Sequence, residues 1–168
     1  MKDIVHVMTG EVNVGGRNCE LVSGAIGSCI VVTVYDRINR RGGMAHIMLP
    51  GAAPEDSRIP RTKYAFNAIE DLLRRMRIAP KNLYRLGICL VGGGNVLKRK
   101  DDCVCRCNIL SVKEITKYMN LVVSAESLGG EERRTARFRV EKGEVYITRG
   151  DSKEMLLWRG SNGAIDEK

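Results

Sequence analysis

Leu21-Val22-Ser23-Gly24-Ala25-Ile26-Gly27-Ser28-Cys29-Ile30-Val31-Val32-Thr33-Val34-Tyr35-Asp36 and, after a basic turn, Gly42-Gly43-Met44-Ala45-His46-Ile47-Met48-Leu49-Pro50 are the two runs around which the chain is organised. Residues 29–35 are rich in β-branched side chains and predict a strand. Residues 43–49 predict a second, and the polar, glycine-ended segment 36–42 predicts the hairpin loop between them. Paired about the middle of that loop, Cys29 falls opposite residue 48 or 49. His46 then lies two or three positions along, near the roughly 7–8 Å of a diagonal cross-strand neighbour. A slip of one residue would put His46 on the other face, so register decides whether thiol and imidazole meet.

A thiol beside an imidazole has the parts of a cysteine nucleophile and its base. The thiolate is the reactive form, and a free thiol with a reference pKa of about 8.5 needs a neighbour to take its proton. Gly24 and Gly27 let backbone N–H groups turn toward a substrate carbonyl, as an oxyanion hole requires. A third group must orient the imidazole, and the Ser23 hydroxyl is the local candidate. The residues alone leave a second reading open. Cysteine in a valine-rich strand is among the most buried residue types, and both side chains can serve as packing.

Outward from this pair, residues 4–8 alternate weakly and predict a first strand, in which His6 reads as structural. Residues 13–18, with Gly15-Gly16, predict a turn, and 19–22 a short strand. The proline-bearing segment 51–61 predicts a loop. The clearest helix spans 63–77, with Ala65, Ala68, Ile69, Leu72, Leu73 and Met76 on one face, Thr62 as a cap and Pro80 beyond its end. Residues 84–91 predict a buried strand that runs into Gly92-Gly93-Gly94. That triplet has neither the lysine of a P-loop nor the spacing of a dinucleotide fingerprint.

Cys103-Val104-Cys105-Arg106-Cys107, read as extended, puts three thiols on one face, one ligand short of a structural zinc site. Ser111-Val112-Lys113-Glu114 is a capping box that predicts a second helix. Residues 121–126 predict a strand, 135–140 and 144–149 a hairpin, and 155–158 a last strand. Two helices among mostly antiparallel strands argue an α+β fold.

At 168 residues and 43% hydrophobic content the chain reads as one domain over 1–168, with a polar tail from about 160 to 168. No apolar run reaches membrane-spanning length, and the first residues carry no secretory h-region. Six cysteines with no export signal fit reduced thiols in the cytoplasm. The formal charge of +8 favours acidic partners, but an aromatic content of only 5% argues against a stacking surface for nucleic acid. Lys98-Arg99-Lys100 and Arg133-Arg134 are the densest basic groups and read as solvated loops.

Gly-Ser-Cys before an apolar strand, followed by Gly-Gly-Met-Ala-His-Ile-Met-Leu-Pro, resembles the chemoreceptor glutamine deamidase family, CheD. Lys63-Tyr64, Gly92-Gly93-Gly94 and Gly129-Gly130 with Arg133, Arg134 and Thr135 follow in family order. The resemblance implies a three-layer α/β/β sandwich with helices on one side of two packed β layers. It implies Cys29 as nucleophile and His46 as base, with Ser23 where the family typically has threonine. It implies an oxyanion and substrate loop around Gly27 and Ser28 with Gly92 and Gly93 nearby, and neither cofactor nor metal. The implied reaction is conversion of glutamine to glutamate on the acidic helical cytoplasmic region of a chemoreceptor, without membrane insertion. The alternative is a non-catalytic binding module partnering a CheC-type phosphatase. The 103–107 segment departs from the family's usual Gly-x-Arg-Asn pattern near 108–111.

Overall fold

A computed structural model describes residues 2–160. Its elements are β1 (Asp3–Val7), β2 (Val12–Gly15), β3 (Cys19–Ser23), β4 (Ile30–Asp36), β5 (Arg41–Ile47), α1 (Ala65–Arg75), β6 (Leu86–Gly92), α2 (Cys103–Tyr118), β7 (Ala125–Leu128), β8 (Arg134–Arg139), β9 (Glu144–Arg149) and β10 (Met155–Arg159). The β4–β5 hairpin forms with Ile30 opposite Ile47 and Asp36 opposite Arg41, the register expected from the loop. Asp36 closes the turn. Its buried carboxylate accepts from the Ile38 and Asn39 amides, the Asn39 side chain and Arg85.

β4 is buried on both faces because it lies in the middle layer of three. Ile30, Val32 and Val34, with Ala45 and Ile47, pack against Ala68, Ile69 and Leu72 of α1 and Val112 of α2. Val31, Tyr35 and Met44 face Leu21, Ala136, Phe138 and Ile147 of the second sheet. The inner sheet runs β2-β5-β4-β6-β7 and the outer β1-β3-β8-β9-β10. Among the described strands only β1–β3 and β6–β7 pair in parallel, so the α/β/β sandwich of mostly antiparallel strands is as expected.

The Gly42-Gly43 pair shows why glycine sits inside β5. A Cβ on Gly42 would lie 2.4 Å from Phe138 of the outer sheet, and one on Gly43 the same distance from Leu72 of α1. The two positions face opposite layers, and both layers approach to backbone distance.

Several boundaries differ from expectation. Val12–Gly15, expected to be largely turn, is β2, an edge strand on β5 whose glycine masks its alternation. Residues 61–63 form a 3₁₀ turn before α1, and Thr62 donates to the Gly10 carbonyl instead of capping the helix. The strand expected from residue 84 starts at Leu86, after a 3₁₀ turn over Pro80–Arg85. The strand expected over 121–126 forms later, as β7.

The largest difference is α2, which begins at Cys103, not at Ser111. Asp102 caps it by accepting from the Cys105 amide, and Ser111 lies inside it, accepting from the Gly51 amide. Its buried face is Cys105, Asn108, Val112, Ile115 and Thr116, a helical spacing concealed by three polar or weakly apolar residues. The three thiols therefore do not share a face: Cys103 and Cys107 are exposed and Cys105 is buried. Arg134, read as solvated, is 2% exposed and donates to the Ser127 hydroxyl and the Glu132 carbonyl. Residues 161–168 of the expected tail lie outside the described residues. No described helix is long and apolar enough to cross a membrane.

Candidate active site

Cys29 stands one residue before β4. Val31 is directly opposite His46 in the hairpin, so Cys29 and His46 are diagonal neighbours on one face of the inner sheet. That face looks toward the outer sheet, where Val31 and Met44 are core and Cys29 packs against them. His46 is 1% exposed. Its Nδ1 lies 3.2 Å from the Val7 carbonyl, and its buried Nε2 has no hydrogen-bond partner among the described residues. A carbonyl only accepts, so Nδ1 carries the proton and Nε2 presents a lone pair.

Burial holds the His46 pKa below the usual imidazole range, against the opposing effects of the Val7 carbonyl and, more weakly, Glu11. Burial pushes the Cys29 thiol up, and the Thr9 hydroxyl and the Cys29 backbone partly oppose this. Both groups are therefore neutral at rest, a thiol beside a free imidazole base. The turn that carries Thr9 also grips His46, whose amide donates to Glu11 O at 3.0 Å and whose carbonyl accepts from Gly10 N at 2.7 Å.

The loop before Cys29 is held by its carbonyls. Gly94 N donates to Gly27 O and Gly93 N to Cys29 O, both at 2.8 Å. Asn108 Nδ2 donates to Ser28 O at 2.9 Å. Ile26 exchanges two hydrogen bonds with Arg134 of β8. By contrast, the N–H groups of Gly27, Ser28 and Cys29 make no backbone hydrogen bond among the described residues. Three adjacent amides without such partners beside a thiol can hold a developing oxyanion.

Gly92 and Gly93 lie against the Cys29 backbone. A Cβ on Gly92, which has φ +126°, would lie 2.2 Å from the Cys29 carbonyl oxygen. Only glycine lets this loop support Cys29 so closely. Ser23 is buried in β3, next to Val7 in the parallel register. Its hydroxyl donates to Gly24 O and accepts from the Ala136 amide, while the imidazole Nδ1 meets Val7. A cleft of about 490 Å³ opens beside the loop, lined by Gly27, Ser28, Gly94, Val96, Leu97 and Val104 among others.

The family model described as CheD chemotactic sensory transduction matches residues 48–149. The chain belongs to the CheD family. It is 37% identical over 150 residues to a probable chemoreceptor glutamine deamidase CheD of Chlorobium luteolum, covering 89% of this chain and 75% of that one. It is 33% identical to the probable enzyme of Methanococcus vannielii, with 88% and 96% covered. It is 30% identical to the chemoreceptor glutamine deamidase CheD of Halalkalibacterium halodurans, with 88% and 94% covered. An alignment of 150 residues within 168 necessarily spans both Cys29 and His46. Sequence reasoning missed three contributors to this candidate site. The Val7 carbonyl and the Thr9 hydroxyl belong to a strand end and turn without a motif, and Asn108 belongs to a helix expected to start only at Ser111.

Proposed function

We propose that this CheD-family chain is a protein-glutamine deamidase acting on chemoreceptors, with Cys29 as nucleophile and His46 as base. The observation that carries the assignment is the shared face of Cys29 and His46, with an unpartnered imidazole Nε2 and three amides free of backbone hydrogen bonds at residues 27–29. His46 Nε2 takes the thiol proton as Sγ attacks the side-chain carboxamide carbon of a receptor glutamine. The carbonyl oxygen becomes an oxyanion among the Gly27–Cys29 amides. His46 returns the proton to nitrogen, ammonia leaves, and a thioester remains. Water, deprotonated by His46, then attacks the thioester carbon. Collapse of that adduct releases glutamate and restores the thiol.

The Val7 carbonyl fixes the imidazole tautomer, and Ser23 supports the strand next to Val7. The cleft edged by Val96, Leu97 and Val104 accommodates residues flanking the target glutamine. Its exposed apolar edge, with Leu97 at 74%, also suits a protein partner such as a CheC-type phosphatase, which would compete with substrate there. Six free thiols suit the reducing cytoplasm.

The test is peptide mass spectrometry of a receptor cytoplasmic fragment incubated with the wild type and with Cys29→Ala. A glutamine-to-glutamate shift with the wild type alone is expected. No shift on several receptors from a folded, reduced sample refutes deamidation and favours the binding role.

A further inference from the structure

Asn108 has no solvent exposure, and its Nδ2 donates to two carbonyls, Ser28 O at 2.9 Å and Met48 O at 3.1 Å. One belongs to the residue before the nucleophile. The other belongs to the residue that follows β5 and lies opposite Cys29 when the hairpin register is continued by one step. Only the NH₂ end of an amide can face two carbonyl oxygens, so the side chain has one orientation. That orientation leaves Oδ1 buried without a partner among the described residues. A buried unpaired acceptor costs about 1–3 kcal/mol. An asparagine under that penalty is a poor choice for packing alone, which directs attention to its two donors.

We propose that Asn108 is a positioning residue that aims the Cys29 N–H at the oxyanion, an inference that rests on Cys29 being the deamidase nucleophile. The Ser28–Cys29 peptide is trans, so its C=O and N–H point in opposite directions. With the oxygen held by α2, the N–H points away from α2, toward the layer between the sheets where the Cys29 side chain packs. Gly93 and Gly94 hold the carbonyls of Cys29 and Gly27, which belong to the two flanking peptides. Among the described hydrogen bonds, Asn108 alone holds the Ser28 carbonyl. Its second donor ties the same amide to Met48 and so to the strand that carries His46.

The test compares the wild type, Asn108→Ala, Asn108→Asp and Cys29→Ala as full chains. It measures kcat and KM on a receptor fragment, the thermal midpoint, and the rate at which iodoacetamide labels Cys29. Asn108→Ala is expected to lower kcat by about 10²-fold, as loss of an oxyanion donor does. KM and Cys29 labelling should stay within about threefold, because substrate contacts, thiol and imidazole are untouched. Asn108→Asp keeps the volume but turns a carboxylate toward two carbonyls, and the same loss is expected.

A folded variant with wild-type kcat overturns the proposal. So does a kcat loss matched by an equal loss of Cys29 labelling, which would mark general disorder of the site. Should both variants fail to fold, the wild type decides. With ¹⁵N-labelled cysteine and asparagine, the Asn108 side-chain protons should exchange slowly. The Cys29 amide proton should move downfield when a peptide bearing a glutamine-derived side-chain aldehyde adds to the thiol. Fast exchange, or an unmoved Cys29 amide, overturns the assignment. Turnover by Cys29→Ala would remove the nucleophile reading itself. An inactive Cys29→Ala beside a fully active Asn108→Ala removes only the positioning role.

Discussion

Replacing Ser23 with alanine separates two roles for its hydroxyl. In β3 that hydroxyl is 2.8 Å from the buried Ala136 amide and accepts from it. Ser23→Ala strips the amide of its acceptor in a place water does not reach, since Ser23 is 4% exposed. Leaving a buried donor unpaired costs about 1–3 kcal/mol. At roughly 2–4 °C per kcal/mol for a chain of this size, the thermal midpoint should fall by about 2–12 °C. Catalysis should suffer less. The imidazole Nδ1 is held by the Val7 carbonyl, and Ser23 acts on it only through the β1–β3 pairing in which Val7 and Ser23 are register partners. The expected kcat loss is within about tenfold, far short of the roughly 10⁴-fold measured when the third member of a serine-protease triad is disabled. Thermal melts followed by circular dichroism, together with initial deamidation rates read by intact mass, check both numbers on one preparation. An unchanged midpoint with kcat reduced to the level of Cys29→Ala would refute this reasoning, and would mean that the hydroxyl turns to the imidazole during turnover.

Two further outcomes follow from the site's electrostatics. For kcat/KM the active form is neutral thiol with neutral imidazole. Its acid limb should therefore lie below the ordinary imidazole value of about 6.5 and its alkaline limb above the ordinary thiol range, giving a broad plateau. A narrow bell, or an acid limb above the imidazole value, would contradict the neutral pair. The depressed His46 pKa also gives folding stability a sign. The contribution is full above the unfolded imidazole value and is lost as pH falls through the lower folded one. Limited alkylation at neutral pH should label Cys29, Cys103 and Cys107 and spare Cys19, Cys89 and Cys105. Cys89 and Cys105 are pushed up to about 12 and about 11, chiefly by burial, and Cys19 is also raised by burial. Exposed Cys103 and Cys107 should react before Cys29, but only Cys29 labelling should track loss of activity. Early labelling of Cys89 would contradict the described core.

What the sequence reveals and conceals here follows from the range of the interactions. The β4–β5 register was legible because the strand-forming runs and the loop between them are local, and pairing them about the middle of the loop puts Cys29 and His46 on one face, as observed. The first half of α2 was not, because its buried face begins with Cys105 and Asn108, and a helix read by its hydrophobic spacing cannot show a face that starts with a thiol and an amide. β2 was hidden in the same way by glycine at a strand end. The loop before Cys29 combines both cases. Its glycines announce that amides are available near Cys29, but an amide can be aimed only if the carbonyl of the same peptide is held, and here the holders are distant in sequence. Gly93 and Gly94 follow a strand on the far side of β4, and Asn108 sits on a helix in another layer. Each long-range contact joins a backbone carbonyl to a group whose role shows only in the packed fold. The proposed nucleophile and base can thus be read from one hairpin, whereas the geometry that would make them effective is assembled only when three layers pack.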